Sequence, residues 1–226
     1  MRIEYEGLIN VWMKKNPITI SPEASFYEAR SIIRDKGVRH LPVVDKNDHL
    51  IGLVTDTDIR EAGPSNASEL SVHELHYLFG KIKVSSFMTP REKLVTITSD
   101  MTIEEAVQLM HDHKIGCLPV MDGEKLAGII TETDVLAIFT DIFGLKLKGT
   151  RITIALEDAP GKMLGALEVM KNHNVNIISI VSPTYLVKGK RVAAIRINTD
   201  DYGLVVKELE ERGYEVLSTD KWSHKA

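Results

Sequence analysis

The sequence predicts a mixed α/β (α+β) protein: two copies of a βαββα unit packed about a pseudo-twofold axis, followed by a βαββαβ segment. Three observations predict it. The stretch GLVTDTD at residues 52–58 returns as GIITETD at residues 128–134. Around it, ITISPEASFYEARSIIRDKGVRHLPVVD from Ile18 aligns without a gap on VTITSDMTIEEAVQLMHDHKIGCLPVMD from Val95, 77 residues on, with Thr19 matching Thr96. After GLKLKG, residues 144–149, the repeat gives way to a different succession of strand and helix signals.

The first unit takes residues 1–62. PITIS reads as a short β-branched strand, and Ser25 is placed to cap the helix FYEARSIIRDKG, whose Phe26, Ala29, Ile32 and Ile33 share one face and whose Gly37 stops it. HLPVVD and LIGLVT read as strands joined by the polar turn KNDH, and a short helix begins near Asp56. Residues 63–83 link the units: Gly63-Pro64-Ser65-Asn66 breaks the pattern, and Ser71 with Glu74 forms a capping box for a helix running toward Phe79. The second unit, residues 84–144, repeats the plan, and a lead-in recurs as well: INVWM ends at Met13 and VSSFM at Met88. One sheet face of each unit is left apolar, so packing the two units together buries both.

The last segment, residues 149–220, reads TRITIALED (strand), APGKMLGALEVMKNHN (helix), VNIISIVSP and KRVAAIRINT (strands), DDYGLVVKELEERG (helix) and YEVLS (strand). That order is the ferredoxin-like plan. Ile152 and Ile154 face one way, Thr153 and Ala155 the other.

Composition narrows the function. With 43% hydrophobic and 27% charged residues the chain is that of an ordinary soluble globular protein. A net charge of −4, without a Lys/Arg-rich run, gives no basis for binding nucleic acid or an anionic membrane. No apolar run approaches the roughly 18 residues of a membrane helix, and MRIEYEGLIN lacks a basic region followed by an apolar one, so no signal peptide is expected. The single cysteine, Cys117, fits a reducing compartment, so a cytoplasmic protein is expected. Neither phosphate-loop, dinucleotide nor nucleophile-elbow motif is present, so no catalytic residue and no cofactor is expected. His111 and His113 in HDH do not share a helix face, His73 and His76 in HELH lack the zincin HExxH spacing, and all four read as solvated. Met13, Met88, Met110 and Met170 read as core.

The doubled hLPVhD…GhhTxTD phrase resembles a tandem pair of CBS domains, a Bateman module, over residues 8–140. EDAPGKML followed by NVNI resembles an ACT domain over residues 149–219. Their order resembles the acetoin utilisation AcuB-like proteins. The CBS resemblance implies an adenine nucleotide, with Thr55 and Thr131 on phosphate and Asp58 and Asp134 on ribose hydroxyls. It places the base between the first strand (Ile18 and Thr19, or Val95 and Thr96) and the pair before the Leu-Pro (Arg39 and His40, or Gly116 and Cys117). A threonine hydroxyl beside the amides of a helix start suits an anion, and a carboxylate one turn on accepts from vicinal hydroxyls. Both residue types also serve as plain helix caps. Arg39 and His40 suit phosphate better than Gly116 and Cys117 do, so two unequal sites are expected.

The ACT resemblance implies an amino acid effector, its amine at Asp158 and its carboxylate near Gly161 at the helix start, with Asn176 beside it. The same residues suit a simple helix entry in a dimerising domain. Together these imply a regulatory sensor, homodimeric or larger, that signals to a separate effector protein. The alternatives are a structural module with empty clefts, or a sensor of another adenosyl ligand such as cyclic di-AMP, S-adenosylmethionine or NAD.

Overall fold

The computed structural model describes residues 8–63, 72–184 and 186–222. Ser71, and the side chains of His73, Glu74 and His76, fall outside what is described. The chain divides into two compact units, residues 1–135 and 136–226.

Unit 1 holds the two repeats as far as the first turn of the last repeat helix, which crosses the boundary. A lead-in of helix α1 (Ile9–Trp12) and strand β1 (Lys14–Lys15) precedes helix α2 (Phe26–Lys36), strands β2 (His40–Val44) and β3 (Leu50–Thr55), and helix α3 (Asp56–Ala62). Helix α4 (Val72–Lys81) links to the second copy: β4 (Thr89–Pro90), β5 (Ile97–Thr98), α5 (Ile103–His113), β6 (Cys117–Asp122), β7 (Lys125–Thr131) and α6 (Glu132–Ile142). The expected caps are in place. Ser25 Oγ accepts from the Glu28 amide at 3.2 Å and Gly37 ends α2 with φ +64°. In the second copy Thr102 and Glu105 form a reciprocal capping box, and the stop residue is Lys114, held at φ +55° where the first copy has glycine.

The expected strand PITIS is cut down to one bridge. Ile20 pairs with Val43, donating to Pro42 O and accepting from the Val44 amide, both at 3.0 Å. Pro17 and Pro22 close in on either side without N–H groups to extend the ladder. Ile20, Phe26, Ala29, Leu41 and Val43 then form one buried core with Val84.

Each repeat lends its lead-in to the other. β1, before the first repeat, pairs with β7 of the second (Lys14 with Ile129, Lys15 with Gly128). β4, before the second repeat, pairs with β3 of the first (Gly52 with Pro90, Leu53 with Thr89). The exchange continues upstream: the Ile9 amide donates to Met101 O at 2.9 Å, and the Val84 amide to Ala24 O at 2.9 Å. Ile9 and Val84 are both fully buried. Glycine permits it. A Cβ at Gly52 would stand 2.6 Å from Met88 Sδ and 2.9 Å from Thr89 O, and one at Gly128 2.7 Å from Met13 Sδ and 3.0 Å from Lys14 O. The repeated glycine and the repeated methionine are thus two halves of one contact. Leu53 of the first repeat packs with Cys117 and Ile129 of the second, closing the apolar faces on each other.

Unit 2 forms strand β8 (Gly149–Leu156), helix α7 (Lys162–Asn172), strand β9 (Ile177–Val181), a short β10 (Leu186–Val187), β11 (Lys190–Ile197), helix α8 (Gly203–Glu211) and β12 (Glu215–Trp222). All pairings are antiparallel, and β12, β8, β11 and β9 lie side by side in that order, the arrangement of the ferredoxin-like plan. Ile152 and Ile154 are fully buried on the helix-covered face, packed with Ala166, Val169 and Leu209. β10 is an addition to the expected set: Lys188 and Gly189, both at positive φ, turn the chain back from β10 into β11. The last strand also runs further than YEVLS, to Trp222, after an irregularity between Val216 and Ser218.

Gly52→Ala and Gly128→Ala are each expected to lower the stability of the protein by about 1–3 kcal/mol, the usual range for forcing atoms into a packed site. Urea unfolding checks this; a loss below about 0.5 kcal/mol for both would mean the lead-in strands do not seat against these glycines.

Candidate functional site

The two helix starts that follow β3 and β7 are built alike. Asp58 Oδ2 accepts from the Thr55 amide at 2.7 Å and from Thr55 Oγ1 at 2.8 Å, while the Asp58 amide donates back to Thr55 Oγ1 at 3.1 Å. Asp134 Oδ2 accepts from the Thr131 amide at 2.8 Å and from Thr131 Oγ1 at 2.6 Å, with the return bond at 3.4 Å. The aspartates are therefore helix caps. In both, the two bonds that the carboxylate accepts fall on Oδ2, which among the described residues leaves Oδ1 available. The next residue ties each helix start to the other strand: the Asp56 amide donates to Arg39 O, and the Glu132 amide to Gly116 O, both at 3.0 Å.

Two clefts flank this arrangement, and each draws on both repeats. The first, about 330 Å³, joins Thr55, Asp56 and Thr57 of the first repeat to Val95, Gly116 and Cys117 of the second. The second, about 220 Å³, joins Arg39 and His40 of the first repeat to Thr131, Thr133 and Asp134 of the second. Arg39 reaches across, its Nη2 donating to Thr133 Oγ1 at 2.9 Å. The threonine–aspartate box of one copy thus faces the residues before the Leu-Pro of the other.

Other expected residues are placed differently. Ile18 packs on the core of the first repeat, Thr19 is half-buried, and Thr96 Oγ1 accepts from Arg91 Nη2 at 3.0 Å. Asp56, rather than Asp58, lines the first cleft. The charge imbalance expected from Arg39 and His40 against Gly116 and Cys117 is evened out by lysines the repeat alignment did not single out. Lys93 and Lys114 with Asp56 line the first cleft, and Lys14 and Arg39 with Asp134 line the second. One signal was available: Lys114 stands where the first repeat has its stop glycine, and a lysine held at positive φ is a cation kept at some conformational cost.

Burial, reinforced by the charge of Arg39, pushes the His40 imidazole below its ordinary range, against the opposing pull of Asp56, Glu132 and Asp58. His40 is accordingly a neutral hydrogen-bonding ring at neutral pH. Burial also pushes the Cys117 thiol up to about 12, with Glu132 adding to the effect.

In unit 2, one chain does not bring Asp158, Gly161 and Asn176 together. Asp158 follows the end of β8 and is held by a bidentate pair with Arg191, at 2.6 Å from Nε and 2.9 Å from Nη2. Gly161, at φ +82°, starts α7 nearby. Asn176 precedes β9, whose Ile177 pairs with Ile197, itself opposite Thr150 at the start of β8. It is engaged with Asn198, through the Asn176 amide to Asn198 Oδ1 at 3.1 Å. The length of the sheet, roughly 20 Å at about 3.3 Å per residue, separates the two ends. Among the described residues no group of three or more His, Cys, Asp or Glu side chains is placed to hold a metal ion, and no helix is long and apolar enough to cross a membrane.

Comparison with known proteins matches the CBS domain family twice, at residues 8–65 and 84–141. The chain is 34% identical over 122 residues to inosine-5'-monophosphate dehydrogenase of Aquifex aeolicus, covering 54% of this chain and 22% of that enzyme's length. It is 32% identical over 142 residues to a CBS domain-containing protein of Dictyostelium discoideum, covering 60% of this chain and 92% of that one. Among solved structures, a putative acetoin utilization protein (AcuB) from Vibrio cholerae superposes with TM-score 0.51 at 26% identity, over 61% of this chain and 93% of that one. CBSX2 in complex with AMP superposes with TM-score 0.50 at 30% identity, over 60% of this chain and 97% of that one.

The Cys117 thiol is expected to resist a disulfide reagent at about pH 8. A thiol at about 12 instead of 9.0 holds roughly a thousandfold less thiolate. Stopped-flow labelling of native and urea-unfolded protein checks this; native labelling within tenfold of the unfolded rate would mean the thiol is not enclosed.

Proposed function

The chain belongs to the CBS domain family, and from that premise we propose that its two clefts bind an adenine nucleotide and that the protein is a non-catalytic sensor acting on a separate partner protein. The observation that carries this reading is the crossed construction of the clefts. Each offers a threonine–aspartate helix start and two cationic side chains, on a frame shared with a protein whose structure holds AMP. The ribose takes the free Oδ1 of Asp134, and phosphates take Arg39 and Lys14 in the second cleft or Lys93 and Lys114 in the first. The matched part of the dehydrogenase is a fifth of that enzyme, so the likeness brings no catalytic activity with it.

For unit 2 the reading is an ACT domain, supported by its strand order and by the Asp-Ala-Pro-Gly entry to α7. The Asp158–Arg191 pair and the distance to Asn176 favour an assembly role over an amino acid site within one chain, and a homodimer or larger is the oligomer proposed.

Asp134→Ala is expected to weaken ATP binding by about 30- to 1000-fold, the worth of hydrogen bonds to a charged acceptor, roughly 2–4 kcal/mol. Arg39→Ala is expected to weaken ATP more than adenosine, by about tenfold or more. Calorimetry with both ligands decides between outcomes. Wild-type protein that binds neither ligand overturns the nucleotide reading, and an equal loss of ATP and adenosine in Arg39→Ala removes Arg39 from the phosphate role.

A further inference from the structure

Among the described residues, His40 is the single side chain that lines both clefts. It stands at the head of β2, opposite Thr55 across the β2–β3 pair. Its ring reaches over to the second repeat. A Cβ at Gly116 would lie 3.3 Å from His40 Nε2 and 3.4 Å from Glu132 Oε2, so the bare backbone at Gly116 makes the room that the imidazole uses. The arrangement is not doubled by the repeat. The counterparts of Arg39 and His40 are Gly116 and Cys117, neither of which carries a polar ring or a charge.

Four charged groups face the imidazole: Arg39 beside it on its own strand, Asp56 and Asp58 at the start of α3, and Glu132 at the start of α6. Burial and Arg39 together keep the ring neutral near pH 7. A phosphate group in either cleft adds negative charge to the acidic side of that balance.

We propose that His40 couples the two clefts: phosphates bound in one draw a proton from solvent onto the imidazole, and the imidazolium then strengthens phosphate binding in the other. This rests on the nucleotide reading of the clefts and adds to it a direction of regulation. The proton adds to the free ring-nitrogen lone pair and no other bond changes. The sign follows from the ring being neutral at the outset. Coupling is positive and largest near neutral pH. It is lost at lower pH, where His40 is protonated before any ligand arrives, and lost again at high pH, where the ring stays neutral even beside phosphate. Adenosine, which brings no charge, is uncoupled.

Calorimetry on the full chain tests this, with ATP and adenosine titrated at about pH 7.5 in two buffers of different ionisation enthalpy, and ATP again at about pH 5.5. The expected result is net proton uptake with ATP and none with adenosine. The second ATP is expected to bind tighter than the first, on the order of fivefold, at the higher pH only. In His40→Gln, which keeps a polar side chain, both the uptake and the coupling disappear while ATP still binds. Proton uptake and coupling that persist in His40→Gln overturn the proposal, as do independent sites, or a single occupied site, in the wild type. The wild-type pH comparison stands on its own should the variant not fold. If the wild type binds neither ATP nor adenosine, it is the nucleotide reading that fails, and the coupling falls with it.

Discussion

The paired-repeat unit depends on a backbone contact that only glycine allows. Gly52 and Gly128 each admit a methionine and a carbonyl oxygen from a strand that belongs, in sequence, to the other repeat. With that contact made, neither repeat is complete alone. The sheet of the first needs β4, whose chain leads into the second, and the sheet of the second needs β1, whose chain leads into the first. The exchange also buries Ile9 and Val84 against the partner copy. Each short lead-in pairs with a sheet edge of the other repeat that would otherwise expose unpaired amides.

The composite clefts follow from the same exchange. With the repeats interlocked, the helix start of one copy comes to face the strand entry of the other, so Thr131 and Asp134 meet Arg39 and His40 while Thr55 meets Gly116 and Cys117. A duplicated phrase thus yields two related clefts whose walls differ wherever the copies differ. Lysines outside the repeated phrase even out their charge, yet His40 still belongs to both clefts and has no twin. A molecule bound in either cleft touches both repeats, as a regulatory device requires if binding is to shift their relative preference.

Much of this was legible in the sequence because it rests on local rules. The duplication, the Ser25 cap, the Gly37 stop, the strand pairs around the Leu-Pro dipeptides and the alternation of Ile152 and Ile154 all depend on neighbours a few residues away. What escaped depends on partners far along the chain. The lead-in recurrence was visible as INVWM and VSSFM, but periodicity says nothing of which copy a two-residue strand will join. PITIS carried the residue types of a strand and lost its ladder to flanking prolines. Lys93 precedes the aligned segment and Lys114 replaces Gly37 within it, so neither has a cationic counterpart to mark it, and only the fold brings both to the cleft of Thr55. Asp158 and Asn176 fit a motif one by one, while the sheet between them keeps them apart.

The two sequence readings of Thr55–Asp58 and Thr131–Asp134, helix cap or ligand site, are not exclusive. Capping uses one carboxylate oxygen and turns the threonine hydroxyl toward the first-turn amide. That fixes the rotamers of both side chains before any ligand arrives, and a side chain already ordered loses less entropy on binding than one that must be caught from solvent. The second oxygen then points from a fixed position. In the nucleotide reading proposed above, the same carboxylate receives the ribose hydroxyls while the neighbouring arginine and lysine take the phosphates. Asp134 stands in that setting, with Arg39 and Lys14 along the same wall. On that reading the cap is the support on which the binding group is held.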